Sequence, residues 1–312
     1  VDQGIDYNHP DFQNPDGSTR VLRYWDHTVN DNNHPNYYEL YEKGILWDSA
    51  AINNGSCTSL EVSSAHGSTV SGMAASNGLA NGTNKGFAPE ADLIVVESDF
   101  SQDVYNWKLS IADACDYIFK VADSLNKPAV INLSLGDYYG MHDATDPAAE
   151  LINSLLDEKE GRIVVSAAGN SGDYGPYHVG TNVTSDTSFV WSIPNPSQTI
   201  VNNVNDVVIF DFVVDTSEAS FSFAISSCNP NNQYERAGST AFLPFSSGFT
   251  TGIPEFENIE NENGNLIAVA FIYRETFGSN IIGQIAVSGP GFTPIDSSEY
   301  LFGFETFGSG HY

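Results

Sequence analysis

Three short segments carry side chains that could share one chemical task. Asp2 lies in VDQGID, His66 in AHGSTVSG and Asn170 in SAAGN. A carboxylate can accept an imidazole N–H and fix the imidazole tautomer, and the imidazole can then take a proton from a hydroxyl. A carboxamide N–H₂ can donate to an oxyanion that forms in such a reaction. Each residue also has an ordinary structural explanation, because Asp and Asn cap turns and a lone His is more often a surface or core residue.

The elements that must position these residues indicate a parallel sheet. Residues 91–97 (ADLIVVE), 129–134 (AVINLS) and 162–168 (RIVVSAA) are apolar runs typical of buried strands. Residues 108–125 place apolar side chains at steps of three and four, which predicts a helix. Asp146-Pro147 predicts the start of a second helix. Alternating strands and helices are typical of a parallel α/β sheet, whose carboxyl-terminal edge collects loop residues.

The second part of the chain differs from the first. After about residue 172, short β-rich runs are separated by Asn, Pro, Gly and Ser, without helical periods between them. Phe221, Phe223 and Ile225 alternate with small or polar residues, which predicts a half-buried antiparallel strand. We therefore predict an α/β domain over 1–174 and an antiparallel β-sandwich of jelly-roll type over 175–312. The predicted strands are 206–214, 219–225, 266–273 and 281–288, and the Asn-rich stretches 29–36 and 257–265 are predicted surface loops.

Five blocks, in one order along the chain, resemble the subtilisin-like serine proteases. The resemblance covers about residues 1–172 and implies a subtilisin-like parallel sheet with flanking helices, here incomplete. Some bacterial relatives carry a β-sandwich insertion after the oxyanion Asn, which agrees with the change near residue 172. The blocks are VDQGIDYNHPDF at 1–12, AHGSTVSGMAASNG at 65–78, GFAPEADLIVV at 86–96, VINLSLG at 130–136 and VVSAAGNSG at 164–172.

The resemblance implies catalytic roles for the three residues introduced first. Asp2 matches the triad carboxylate, His66 the catalytic base and Asn170 the oxyanion-hole side chain. Two positions depart from the family pattern, since Thr69 stands where a second His is usual and Gln3 where Thr or Ser is usual. Neither departure touches the proton relay directly.

Substrate and metal positions follow from the same resemblance. Ser134, Leu135 and Gly136 match the strand that pairs with an extended substrate backbone, and Gly169 matches a residue that lines the primary side-chain pocket. Main-chain pairing holds peptides with little regard to sequence. No cofactor is required. Asp11 matches a position that binds calcium in some relatives, and a carboxylate suits that ion structurally.

The catalytic serine is missing from these 312 residues. The family carries it in a G-T-S-[ML]-A-x-P motif, and no such string occurs. Ser239-Thr240 in GSTAFLP is a scrambled version inside the β-rich part, and we reject it as the nucleophile. The sequence is therefore interpreted as a fragment whose nucleophile lies beyond Tyr312.

Composition excludes several classes of partner. Lys plus Arg number 11 against 40 Asp plus Glu, a net charge of −29, which disfavours nucleic acid and anionic membrane surfaces. Apolar runs are too short for a membrane helix. Cys57, Cys115 and Cys228 lie far apart without CxxC spacing, which disfavours a zinc site, and no disulfide framework can be inferred from an odd, sparse set of cysteines.

These observations predict a secreted, monomeric serine endopeptidase that acts on polypeptides. Secretion is inferred from the family and the acidic, Lys-poor composition. The alternative is a catalytically inactive relative that binds proteins through its substrate cleft. A third reading makes residues 172–312 an independent ligand- or glycan-binding module. A G-T-S motif further along the gene would separate the first two.

Overall fold

Contacts divide the chain into two compact units. The first consists of Val1–Tyr138 and Asp143–Asn170, and the second of Tyr139–His142 and Ser171–Tyr312. The predicted boundary after residue 174 lies outside the described residues. The computed structural model describes residues 1–61, 64–102, 104–137, 142, 144–170, 182–183, 188–192, 208–215, 217, 220–229, 231–245, 253–277, 280–293 and 301–311.

The first unit alternates strands and helices. The strand Val21–Asp26 pairs in parallel with Leu93–Glu97 and antiparallel with Ile45–Asp48. The strand Ala129–Leu133 pairs in parallel with Arg162–Ser166. The predicted parallel arrangement therefore has an antiparallel strand at one edge. The elements are β1 (Val21–Asp26), β2 (Ile45–Asp48), α1 (Ser49–Asn53), α2 (His66–Ala75), β3 (Leu93–Glu97), α3 (Val104–Ser124), β4 (Ala129–Leu133), α4 (Pro147–Asp157) and β5 (Arg162–Ser166).

Val1 and Asp2 join the two sheets of this unit into one layer. The Asp2 N–H donates to Val96 O at 3.1 Å, and the Ser98 N–H donates to Asp2 O at 2.8 Å. From the opposite edge, the Val1 nitrogen donates to Asn132 O at 3.1 Å. The two residues therefore lie between β3 and β4, and Asp2 reaches the carboxyl-terminal edge of both strands.

Helix α3 covers one face of the β4–β5 pair together with α4. The predicted helix face is buried at Ile111, Cys115, Ile118 and Ala122, but Leu125 lies beyond the helix end and is 45% exposed. Ile131 and Leu133 of β4 pack into the same core. Among the helices of the described residues, none combines the length and apolarity that crossing a bilayer requires.

The prediction that β4 and β5 are buried strands is only half right. Val130, Ile163 and Val165 are 68%, 52% and 50% exposed. Val130 pairs with Ile163, and Asn132 with Val165, so these side chains share one face of the pair. Helices α3 and α4 cover the opposite face, and nothing in the described part of the chain covers this one.

The second unit is antiparallel throughout its described strands, as predicted. The strands are β6 (Asn182–Val183), β7 (Ser188–Ser192), β8 (Val208–Asp215), β9 (Ser220–Asn229), β10 (Asn232–Ser239), β11 (Leu243–Pro244), β12 (Glu255–Glu260), β13 (Leu266–Phe277), β14 (Asn280–Ser288) and β15 (Leu301–His311). They form one path in the order β6-β15-β9-β10-β12-β13-β14-β8, while β7 pairs with β15 and β11 with β9.

This path curls so that its two ends pack together. The ring of Phe212 in β8 lies 5.7 Å from that of Phe223 in β9 and 5.9 Å from that of Phe304 in β15. The described pairs therefore give one curled sheet instead of two separate sheets, with an apolar interior as in a sandwich. The jelly-roll connection pattern stays a prediction.

Two local predictions in this unit are wrong. The sequence predicts a loop over Glu257–Glu260, but β12 pairs with β13 there, with Ile259 buried and Glu260 exposed. Strand β9 was predicted to be half-buried, yet Ala224 and Ser226 are buried together with Phe223. On the face of Ala224, Ser226 donates to the buried carboxylate of Glu305. The side chain of Phe221 lies outside the described part.

Candidate active site

Asp2 and His66 form a hydrogen-bonded pair. Oδ1 of Asp2 lies 2.7 Å from Nδ1 of His66, inside the range expected for a carboxylate–imidazole contact. The carboxylate is buried, whereas the imidazole is about half exposed. Because an ionised carboxylate only accepts, Nδ1 carries the proton in the neutral ring and Nε2 keeps a lone pair. The arrangement can therefore take a proton at Nε2 and stabilise the resulting imidazolium.

The Asp2 carboxylate is held by its own turn. The Gln3 N–H donates to Oδ1 at 2.8 Å, so that oxygen accepts two hydrogen bonds. Oδ2 is buried without a partner among the described residues. Gly4 follows with a φ of +88°, a conformation that glycine adopts without strain and that lets the chain turn toward the helix.

Helix α2 presents His66 as its first residue. The next residue, Gly67, packs directly on the Asp2 turn. A Cβ on Gly67 would lie 2.0 Å from the Gly4 carbonyl oxygen and 3.3 Å from the Asp2 Cβ. Only glycine allows this approach, and the approach sets the Asp2–His66 distance.

The departures from the family pattern make local contacts. Thr69 donates through Oγ1 to Ala65 O at 2.7 Å. Gln3 accepts at Oε1 from the Ser64 hydroxyl, which in turn accepts the His66 N–H at 3.1 Å. Gln3 thus links the Asp2 turn to the residues just before α2.

The remaining predicted residues follow β4 and β5 at the same sheet edge. Leu133 pairs with Ser166 at the ends of these strands, so the segments after them begin side by side. Ser134 accepts from Asn132 Nδ2 at 2.9 Å. Leu135 packs against the core of the first unit, whereas Gly136 is exposed.

Gly169 and Asn170 are the last two described residues of the segment after β5. Gly169 has a φ of +91°, and Asn170 is exposed. Of the predicted site residues, Asp2 and His66 are the two joined by a described hydrogen bond. Asn170, Gly169 and Ser134–Gly136 share the edge of the layer with them.

Two acidic residues near the pair were not singled out from the sequence. Glu97, the last residue of β3, lies opposite Asp2 in a parallel bridge. Its carboxylate accepts from the Tyr24 hydroxyl at 2.7 Å, and burial together with the Asp26 charge raises its pKa to about 7. The second is Glu61, which contacts the start of α2. A lone acidic residue beside an apolar strand gives little signal in a sequence.

Asp11 lines a groove beside α2. The groove has a volume of about 630 Å³ and is lined by Asp6, Asp11 and Glu61 among others. Oδ1 of Asp11 accepts the Ala80 N–H at 2.8 Å. Within the described residues, no group of three or more His, Cys, Asp or Glu side chains could hold a metal ion. Calcium binding at Asp11 stays a prediction.

The rejected Ser239-Thr240 segment belongs to the second unit. Ser239 ends β10 and pairs with Ser226 and Glu260 in the antiparallel sheet. Thr240 is buried, and its hydroxyl accepts from Ile225 N at 3.0 Å and donates to Ala241 O at 2.9 Å. A hydroxyl engaged in this way, without a helix start behind it, lacks the features of a nucleophile.

Two solved structures resemble the chain. The CspB protease of Clostridium perfringens matches over 100% of this chain and 59% of that one, with a TM-score of 0.65 and 18% identity. The S41 psychrophilic protease matches over 55% of this chain and 45% of that one, with a TM-score of 0.37 and 28% identity. No curated protein matches the chain significantly.

The chain spans about 59% of the length of the CspB protease, so the likeness to that protein concerns the fold. The model of the subtilase family matches residues 1–248 of the 312. That match covers well over half of the chain and includes the segments that contain Asp2 and His66. The chain belongs to the subtilase family.

Proposed function

We propose that this chain is part of a serine endopeptidase whose triad combines Asp2 and His66 with a serine encoded beyond Tyr312. The observation that carries the proposal is the 2.7 Å contact between Asp2 Oδ1 and His66 Nδ1. Membership of the subtilase family supports the same reaction class.

In this reaction His66 Nε2 takes the proton of the serine hydroxyl as the hydroxyl oxygen attacks the peptide carbonyl. Asp2 holds the ring and stabilises the imidazolium. The proton then passes to the leaving amine, and water hydrolyses the acyl-enzyme by the same relay. Asn170 donates to the oxyanion. Ser134, Leu135 and Gly136 pair with the substrate backbone, and Gly169 lines the side-chain pocket.

We further propose that the enzyme acts as a monomer outside the cell. Its acidic, Lys-poor composition supports this location. Residues 175–312 form an insertion between the oxyanion segment and the serine, a proposal supported by the antiparallel pairing of the strands described in the second unit. Calcium, where bound, is a structural ion near Asp11.

The test uses the full-length gene product and a fluorophosphonate probe, which labels an activated serine. We expect labelling and peptide hydrolysis, with Asp2→Asn lowering kcat by roughly 10⁴-fold. Exposed Asp16→Asn serves as the control. A full-length protein without labelling would instead be the catalytically inactive protein-binding relative. If the 312-residue chain itself is labelled, and Ser239→Ala or Thr240→Ala abolishes that labelling, the nucleophile lies in the second unit.

A further inference from the structure

The start of helix α2 has a complete set of hydrogen-bond partners supplied from outside the helix. The first backbone N–H groups of a helix lack partners within it. Here the His66 N–H donates to Ser64 Oγ at 3.1 Å. The Gly67 N–H donates to Glu61 Oε1 at 2.7 Å, and the Ser68 N–H donates to Glu61 Oε2 at 3.0 Å. One carboxylate thus serves two of the orphan donors.

The residue at the usual capping position, Ala65, cannot accept these N–H groups. Ala65 immediately precedes the helix, has no side-chain acceptor and adopts a left-handed conformation with a φ of +54°. Glu61 therefore replaces the usual Ser, Thr, Asp or Asn cap from a position further back in the chain. Without it, the N–H groups that follow His66 would have no acceptor among the contacts described.

From this geometry we propose that Glu61 is a positioning residue for His66, acting through the amino terminus of α2. The inference rests on the proposed function only where it treats His66 as catalytic. Glu61 fixes the first turn of the helix, and that turn carries the imidazole against Asp2. The Asp6 N–H, which donates to Ser68 Oγ at 2.8 Å, ties the same turn to the Asp2 loop.

The negative charge of Glu61 has a second effect on His66. The amino terminus of a helix has a partial positive charge, which opposes the imidazolium that His66 forms during turnover. A carboxylate bound to that terminus offsets the opposition. The other carboxylates around this turn are those of Asp2, Asp6, Asp11 and Glu97. Glu61 is the one that accepts from the backbone N–H groups of the helix.

The test is NMR on the 312-residue chain, comparing Glu61→Ala and Glu61→Gln with the exposed control Glu90→Gln. In Glu61→Ala we expect amide exchange at Gly67 and Ser68 to rise roughly tenfold or more. The His66 ring resonances should shift, because the turn that holds the imidazole against Asp2 loses two of its hydrogen bonds. Glu61→Gln should show a smaller exchange effect and a smaller change in the His66 ring resonances, since its amide oxygen still accepts.

Two outcomes would overturn the proposal. One is unchanged His66 ring resonances together with unchanged exchange at Gly67 and Ser68. The other is a uniform rise in exchange across β1, β3 and β4, which would make Glu61 a residue of general stability only. These measurements require no peptidase activity. A full-length protein that fails to react with fluorophosphonate would therefore contradict the proposed function and leave this result standing.

Discussion

The carbonyl oxygen of Gly4 lies so close to Gly67 that a methyl group on Gly67 would come within 2.0 Å of it. We expect Gly67→Ala to push α2 away from the Asp2 turn, to break the Asp2–His66 hydrogen bond and to destabilise the chain by roughly 1–3 kcal/mol. Urea unfolding measures the stability, and the His66 ring resonances report the contact.

Gly72 provides the matched control for this substitution. It lies in the same helix, and a Cβ there would meet nothing within 4 Å. Gly72→Ala should therefore stabilise the chain by up to about 1 kcal/mol through helix propensity. Equal behaviour of the two variants would show that the Gly4–Gly67 approach is unimportant.

Glu97 should make the chain less stable as pH rises. Burial and the Asp26 charge raise its pKa from about 4.5 to about 7. A raised folded-state pKa contributes stability that is fully present below about pH 4.5 and is lost as pH rises through 7. Glu97→Gln cannot ionise, so it should exceed the parent in stability at pH 8, by on the order of 3 kcal/mol.

Unfolding by urea at pH 4.5 and pH 8 measures this difference, with exposed Glu90→Gln as the control. At pH 4.5 the Glu97→Gln variant and the parent should agree, because both are then neutral at this position. A Glu97→Gln advantage of the same size at both pH values would contradict the assignment to ionisation.

His27 should make the chain less stable as pH falls, the opposite of the effect of Glu97. Its ring is 3% exposed, neither nitrogen has a partner among the described residues, and the Trp25 ring lies 4.1 Å away. Burial, helped by the Lys43 charge, lowers its pKa from 6.5 to about 3. Its contribution to stability is therefore present above pH 6.5 and is lost as pH falls toward 3.

The variant His27→Phe keeps an aromatic ring and removes the titration. Between pH 7 and pH 4 the parent should lose about 3 kcal/mol more stability than this variant does. Exposed His9→Gln should lose as much as the parent. An identical pH dependence in the parent and His27→Phe would contradict the prediction.

Arg20 binds three separate parts of the first unit. Its buried guanidinium donates to Asp11 O at 2.9 Å, to Ala75 O at 2.8 Å and to Ala91 O at 2.8 Å. A Lys ammonium cannot span these acceptors in the same plane. Arg20→Lys should therefore cost at least about 2 kcal/mol in thermal or urea unfolding.

Arg23 is the control for that substitution. It donates to the carbonyl of its neighbour Leu22 at 2.8 Å, a contact that joins no distant segments. Arg23→Lys should change stability by no more than about 0.5 kcal/mol. A similar loss in both variants would mean that charge, not the geometry of the guanidinium, determines the effect.

Parts of the fold were predictable because local chemistry and the final structure agree. The apolar runs that became β3, β4 and β5 are β-branched, and Asp146 caps α4 by accepting from the Ala148 and Ala149 N–H groups. Strand β1 was not predicted, because Arg20 beside it and Arg23 within it interrupt the apolar pattern. The side chain of Arg20 is nevertheless buried, since backbone carbonyls from distant segments surround it.

The candidate site was predictable to a similar extent. The contact between Asp2 and His66 was predicted through the resemblance of their segments, VDQGID and AHGSTVSG, to the subtilisin-like proteases. Glu61 could not be found in this way, because its partners are backbone N–H groups, which every residue except proline possesses. Glu97 was missed because its raised pKa arises from burial and from the charges of Asp26 and Glu61, which only the folded chain brings together.

The pairing of Val1 with Asn132 has a consequence for the order of folding. The hydrogen bond joins residues 131 apart in sequence, whereas the Asp2–His66 contact joins residues 64 apart. Closing long loops costs more chain entropy, and distant pairings slow folding. The β1–β2 hairpin and the β4–β5 crossover join nearer neighbours and should form earlier. Asp2 should therefore take its place between β3 and β4 last. Chains that have already formed most of the secondary structure would then still lack the Asp2–His66 pair.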